Sequence, residues 1–157
     1  MRTYSVERVE MPAIRLIGFE LHESLNQVLE TKIVVKLREE LAARLRDIEG
    51  AANAADIYLV QAYSENEQWT PDKPYRHVIG AAAAEGAAIP AGMIAYALPA
   101  GRYVKVTHEG PESRIGETYD YINRELGHRP VDIEVWPDIH ALEREESRID
   151  IYFPDRG

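Results

Sequence analysis

The residues best placed to do chemistry lie near the end of the chain, in the run Val131-Asp132-Ile133-Glu134-Val135-Trp136. Strict alternation of apolar and polar types is the mark of a β-strand, whose successive side chains point to opposite faces. Val131, Ile133 and Val135 then share one face, expected to meet the helices, and Asp132, Glu134 and Trp136 share the other. The closing run divides likewise, with Ile149, Ile151 and Phe153 on one side and Asp150 and Tyr152 on the other. If the two strands pair as a hairpin, Glu134, Trp136, Asp150 and Tyr152 are expected on a common face away from the helices. On an open sheet that face is solvated polar surface and nothing more. If it is covered, the carboxylate needs a partner, and an organic cation held between aromatic rings supplies one. Trp136 favours the covered arrangement, since large aromatics left exposed on a sheet usually mark a binding surface. Tyr58, Tyr96 and Tyr103 lie on other strands and are candidates for the same wall or for core packing.

Other chemistry finds little support. His22, His77, His108, His128 and His140 are scattered, without the HxH or HExxH spacing of a metal site, so neither metal nor cofactor is expected. His108-Glu109-Gly110-Pro111 sits where a strand turns into a helix, and turn chemistry and the helix dipole explain it better than catalysis by His108. There is no Gly-x-Ser-x-Gly elbow, phosphate loop or dinucleotide fingerprint. With no cysteine, disulfides, thiolate zinc sites and cysteine catalysis are excluded. The net charge of −9, from 27 acidic and 18 basic residues, argues against direct nucleic-acid binding. No apolar leader opens the chain and no run approaches the roughly 18 apolar residues of a membrane span. A cytoplasmic location without membrane contact is expected.

The elements that must position these residues follow from periodicity. Residues 24–48 lack Gly and Pro, and Leu37, Leu41, Leu45 and Ile48 recur at helical spacing, with Ser24 or Thr31 as N-cap and Gly50 as the stop. A second helix is expected from Glu112 or Ser113 to Leu126, its stripe Ile115, Tyr119, Ile122 and Leu126 facing the core and Gly127 ending it. Strands are expected over 8–19, broken at Pro12; over 57–63 and 75–83, around a loop with Trp69, Pro71 and Pro74; and over 93–108, broken at Pro99-Ala100-Gly101. The order reads β-α-β-β twice, over halves of about 4–84 and 92–154 within one domain spanning 1–157, with no DNA-binding domain. The expected fold is α+β: duplicated β-α-β-β halves with antiparallel sheets side by side, both main helices on one face, and a ligand cleft across the pseudo-two-fold axis.

Several runs carry a family resemblance. Ile89-Pro90-Ala91-Gly92-Met93, Leu98-Pro99-Ala100-Gly101-Arg102-Tyr103 and Thr107-His108-Glu109-Gly110-Pro111 resemble the middle of the gyrase-inhibitor-like (GyrI-like) family. That family is also the effector-binding domain of AraC-type and multidrug-sensing transcription regulators. Ile133-Glu134-Val135-Trp136 is similar to its Glu-x-Tyr strand, with Trp136 in place of the usual Tyr. Asp150-Ile151-Tyr152-Phe153-Pro154 is similar to its closing strand, with Asp150 in place of Glu, and residues 75–83 resemble its Tyr-x-x-Gly-containing strand. The resemblance implies a duplicated fold with a central cleft, and an acid of the Glu-x-aromatic strand, here Glu134, facing a cationic drug. It implies a small organic ligand, cationic or amphipathic, in that cleft; taken with the strand alternation, the candidate lining is Glu134, Trp136, Tyr152 and Asp150, with Tyr103, Tyr96 and Tyr58 candidates for the same wall or for core packing. It also permits two alternatives. One is a hydrolase of electrophilic small molecules with Glu134 as general base. The other is an inhibitor or adaptor acting on a protein partner, a regulator or a topoisomerase.

Overall fold

A computed structural model describes residues 4–51, 56–63, 69–127 and 129–155; His128, one of the five histidines read above, lies outside them. The first half contains β1 (Ser5–Met11), β2 (Ile14–Glu23), α1 (Leu25–Thr31), α2 (Ile33–Ala43), β3 (Ile57–Ala62) and β4 (Tyr75–Ala82). The second contains β5 (Ile94–Leu98), β6 (Gly101–Glu109), α3 (Ile115–Glu125), β7 (Val131–Trp136) and β8 (Arg148–Pro154). The fold is α+β with duplicated halves, as the element order predicts.

The two sheets expected side by side are one. All eight strands join in the order β1-β6-β8-β7-β3-β4-β2-β5, and every pairing is antiparallel. This order is symmetric about the β7–β3 junction, where Leu59 faces Glu134 and Tyr58 faces Val135. The prolines explain how the halves are tied together. Pro12 cannot donate to a ladder, so the chain turns there and β1 leaves its own half to pair with β6 of the other. Pro99 does the same for β5, which pairs with β2. Each half therefore lends its leading strand to its neighbour.

The long helix read over 24–48 is divided. Lys32 adopts a left-handed conformation (φ 57°) between α1 and α2, which neither Gly nor Pro announces. Of the two candidate caps Ser24 is the one used, its Oγ accepting the Gln27 amide at 3.2 Å; Thr31 is the last residue of α1, and Lys32 stands at the N-cap of α2. In the second half a single 3-10 turn over Glu112–Arg114 leads into α3, and Gly127 (φ 80°) closes it with its amide on the Ile122 carbonyl at 3.1 Å.

All three α-helices pack on one sheet face. There Ile17, Leu59, Ile79, Trp136 and Ile149 meet Val34 and Leu41 of α2, while Val104, Val106, Ile151 and Phe153 meet Ile122 of α3. The opposite face is also buried, because the sheet curls and its Met11-Pro12 and Leu98-Pro99 corners close over the middle. Leu16, Val60, Val78, Leu98, Tyr103 and Ile133 form this second core. Strand β2 approaches β4 so closely that a Cβ on Gly18 would lie 1.9 Å from the Ile79 carbonyl oxygen, so the position requires glycine.

Candidate functional site

Strand β7 alternates as its sequence predicts, but with its faces reversed. Asp132, Glu134 and Trp136 point toward the helices, and Val131, Ile133 and Val135 point into the concave core. The expectation that the apolar set meets the helices is thus corrected. The physical reason is that both faces are buried, so hydrophobicity alone does not mark the helix side. The register corrects a second expectation. Ile133 lies opposite Tyr152 and Val135 opposite Asp150, so Glu134 sits opposite Ile151. A one-residue difference in pairing moves every side chain to the other face.

The seven residues expected around one cleft therefore divide across the sheet. Tyr58, Tyr103 and Tyr152 line a shallow recess on the concave face, with Met11, Pro12 and Ile133. Asp150 is beside them, accepting from Thr107 Oγ1 at 3.0 Å and facing Lys105 Nζ at 3.8 Å. Tyr96 lies further out, with the Arg76 guanidinium 5.0 Å above its ring. Burial and the Asp150 carboxylate push the Tyr152 hydroxyl up to about 12, so it remains a neutral donor. Glu134 and Trp136 lie on the opposite, helix-facing side of the sheet.

The chemistry concentrates on the helix side. Glu134 is buried, and its carboxylate is held by neutral donors alone. Trp136 Nε1 donates to Oε1 at 3.0 Å, and Tyr119 Oη and Gln61 Nε2 donate to Oε2 at 2.6 and 3.2 Å. Among the described residues no lysine or arginine forms an ion pair with it. Burial pushes its carboxyl up to about 7, against the opposing pull of the Tyr119 and Trp136 hydrogen bonds. A proton is thus about as favourable as a bare charge near neutral pH.

Around Glu134 stands a cluster of rings. Tyr75 donates to Gln61 Oε1 at 3.3 Å, stacks on His77 at 4.2 Å and meets Tyr63 at 5.2 Å and Trp69 at 6.3 Å between centroids. The Arg38 guanidinium lies 4.8 Å over Trp136 and is itself committed to Glu112 through bonds of 2.6 and 2.9 Å. The neighbouring acid is treated quite differently. Asp132 is gripped by Arg129 through two bonds of 2.7 and 2.8 Å and accepts from Tyr63 Oη at 2.8 Å. Of two adjacent buried carboxylates, one has its cation built in and the other has none.

Sequence reasoning missed Tyr119, Tyr75, Gln61 and Arg38 as members of this site. Tyr119 was within the α3 stripe and read as core; its position four residues after Ile115 gives its face, but not that its hydroxyl ends on Glu134. His108 is a packing residue: its Nδ1 meets Thr118 Oγ1 at 2.6 Å and its Nε2 meets the Pro111 carbonyl at 2.8 Å.

The chain belongs to the GyrI-like small molecule binding domain family, whose model matches residues 4–154. It is 26% identical over 162 residues to the transcriptional regulator BrlR of Pseudomonas aeruginosa, covering 98% of this chain and 56% of that protein. The chain thus spans about half the length of that relative. The fold is similar to the EcmrR C-terminal domain, with a TM-score of 0.69 at 13% identity over 98% of each chain. It is similar also to SAV2435 bound to tetraphenylphosphonium, with a TM-score of 0.66 at 13% identity over 99% of this chain and 95% of the other. Among the described residues no helix is long and apolar enough to cross a membrane.

Proposed function

We propose that this domain binds hydrophobic organic cations on the helix side of its sheet, with the positive charge on Glu134 and flat groups between Trp136, Tyr119 and Tyr75. The observation that carries this reading is the contrast between the two buried acids: Asp132 has its arginine, whereas Glu134 has only neutral donors. A buried carboxylate without a counter-charge is unfavourable, and a desolvated cation stacked on aromatic faces relieves it. The tetraphenylphosphonium complex of SAV2435 supports the ligand class, and the likeness to BrlR supports a role as the sensing part of transcription control, through a DNA-binding partner or segment.

Glu134 is covered, so a ligand must displace part of the helix layer. Helix α1 is the least anchored piece: it contributes no buried residue and joins α2 through the left-handed Lys32. Trp69, 39% exposed against Tyr75, lies at the edge of the same aromatic cluster.

Titration of the protein with tetraphenylphosphonium at pH 8, followed by tryptophan fluorescence, tests the reading. Saturable quenching is expected, with an affinity at least about tenfold weaker in Glu134→Gln, as for loss of one buried charge contact. No quenching, or equal affinity in the variant, defeats it.

A further inference from the structure

His77 supplies a second polar group to this site. It lies on β4 with its side chain on the helix face, in line with Gln61 of β3, and is 1% exposed. Its Nε2 is 3.0 Å from the Glu23 carbonyl oxygen. A carbonyl only accepts, so the ring proton is on Nε2 and Nδ1 presents a bare lone pair. Burial lowers the pKa of His77 and keeps the ring neutral. Among the described residues, that Nδ1 is the one buried side-chain polar atom without a hydrogen-bond partner. The contrast with buried His108, both of whose nitrogens are bonded, shows that the fold is able to satisfy such a ring. A buried acceptor left empty is disfavoured and calls for a reason.

The surroundings of His77 give one. Its ring stacks on Tyr75, whose hydroxyl donates to Gln61, which in turn donates to Glu134. The lone pair and the carboxylate therefore belong to one polar-aromatic layer. His77 is level with Gln61 and Asp132, and Glu134 is level with Leu59 and Ile79, so the two positions are separated by two strand intervals and a two-residue stagger, about 12 Å along the sheet. We propose that His77 Nδ1 is a ligand contact, selecting elongated organic cations whose N–H or O–H donor lies far enough from the group held by Glu134 to span strand positions about 12 Å apart. This rests on the Glu134 reading and narrows it from hydrophobic cations in general to elongated ones with a donor at the far end. A fully alkylated cation fills the aromatic cluster and leaves the lone pair empty.

The test compares proflavine, a flat cation with an amino group at each end, with acridine orange, its tetramethylated counterpart, on the wild type, His77→Phe and Glu134→Gln. The phenylalanine keeps the ring against Tyr75 and removes the lone pair. Wild type is expected to prefer proflavine on the order of tenfold, and His77→Phe to lose that preference while still binding acridine orange. Nitrogen-15 NMR of the wild-type imidazole provides a readout that does not depend on the variant folding: proflavine shifts the Nδ1 resonance toward that of a hydrogen-bonded acceptor, and acridine orange does not. A preference that survives His77→Phe, or an Nδ1 resonance unmoved by proflavine, overturns the proposal. Glu134→Gln separates the two claims. If it weakens both dyes while His77→Phe leaves their ratio unchanged, the His77 inference alone fails; if it weakens neither, the Glu134 reading fails with it.

Discussion

Replacing Glu134 by glutamine should remove the pH dependence that this buried carboxyl gives to stability. The folded protein holds the Glu134 proton up to about pH 7, against an ordinary value of 4.5. Below 4.5 both folded and unfolded chains are protonated there, and burial of the neutral acid carries no charge penalty. Between 4.5 and 7 the unfolded chain releases a proton that the folded one keeps, so the folded state loses stability as pH rises. Above 7 both are ionised and the loss is complete, at about 3 kcal/mol for a shift of this size. Glutamine cannot ionise and has no such slope. Its oxygen can accept from Trp136 and its amide can donate to the Tyr119 oxygen, so those two contacts survive and only the Gln61 Nε2 bond at 3.2 Å is lost. The assay is urea denaturation of both proteins from pH 5 to pH 8, taking the difference at each pH so that histidine titrations cancel. The difference is expected to move about 2.5 kcal/mol in favour of glutamine across that range, or roughly 1 M in midpoint for a chain of this size. A difference that stays flat from pH 5 to pH 8 refutes the desolvated carboxyl.

Three further outcomes follow from the same geometry. Tyr119→Phe removes a 2.6 Å bond that favours the ionised acid, so the midpoint of that pH-dependent difference should rise by about one unit. Arg129→Met leaves Asp132 buried without its cation, and should destabilise the fold by about 3–5 kcal/mol in chemical denaturation at pH 7. Gly18→Ala puts a methyl group into the Ile79 carbonyl, and a lowered melting temperature equivalent to about 3 kcal/mol is expected from such overpacking.

The sequence made the elements legible because their signals are local. Pro12 and Pro99 mark the turns at which the leading strands depart, and the alternation of β7 places its bounds at Val131–Trp136. Which face meets the helices was not legible, since it depends on the curl of the sheet. The apolar residues Ile133 and Val60 are buried under the Met11-Pro12 and Leu98-Pro99 corners, far from them in sequence. The β7–β8 register is similarly non-local, being set by the whole sheet and not by the acidic connection over 137–147. Glu134 and Trp136 were identifiable as a pair from their spacing, and the Trp136 indole does bond the Glu134 carboxylate. Tyr119 and Gln61 were not, because a tyrosine in a helical stripe and a glutamine in a strand look like core and edge until the fold brings them to one carboxylate. The break at Lys32 has no sequence signal at all, since the left-handed position is held by a lysine and not by Gly or Asn.

The central claim, that Glu134 receives the cation in place of a proton, is tested most directly by calorimetric titration with tetraphenylphosphonium at pH 6 and pH 8, in buffers of different ionisation enthalpy. A carboxyl titrating near 7 predicts release of about one proton per ligand at pH 6 and almost none at pH 8. Affinity should be roughly tenfold weaker at pH 6, with both effects absent in Glu134→Gln. Binding with the same affinity at both pH values and no proton release at either would contradict the account.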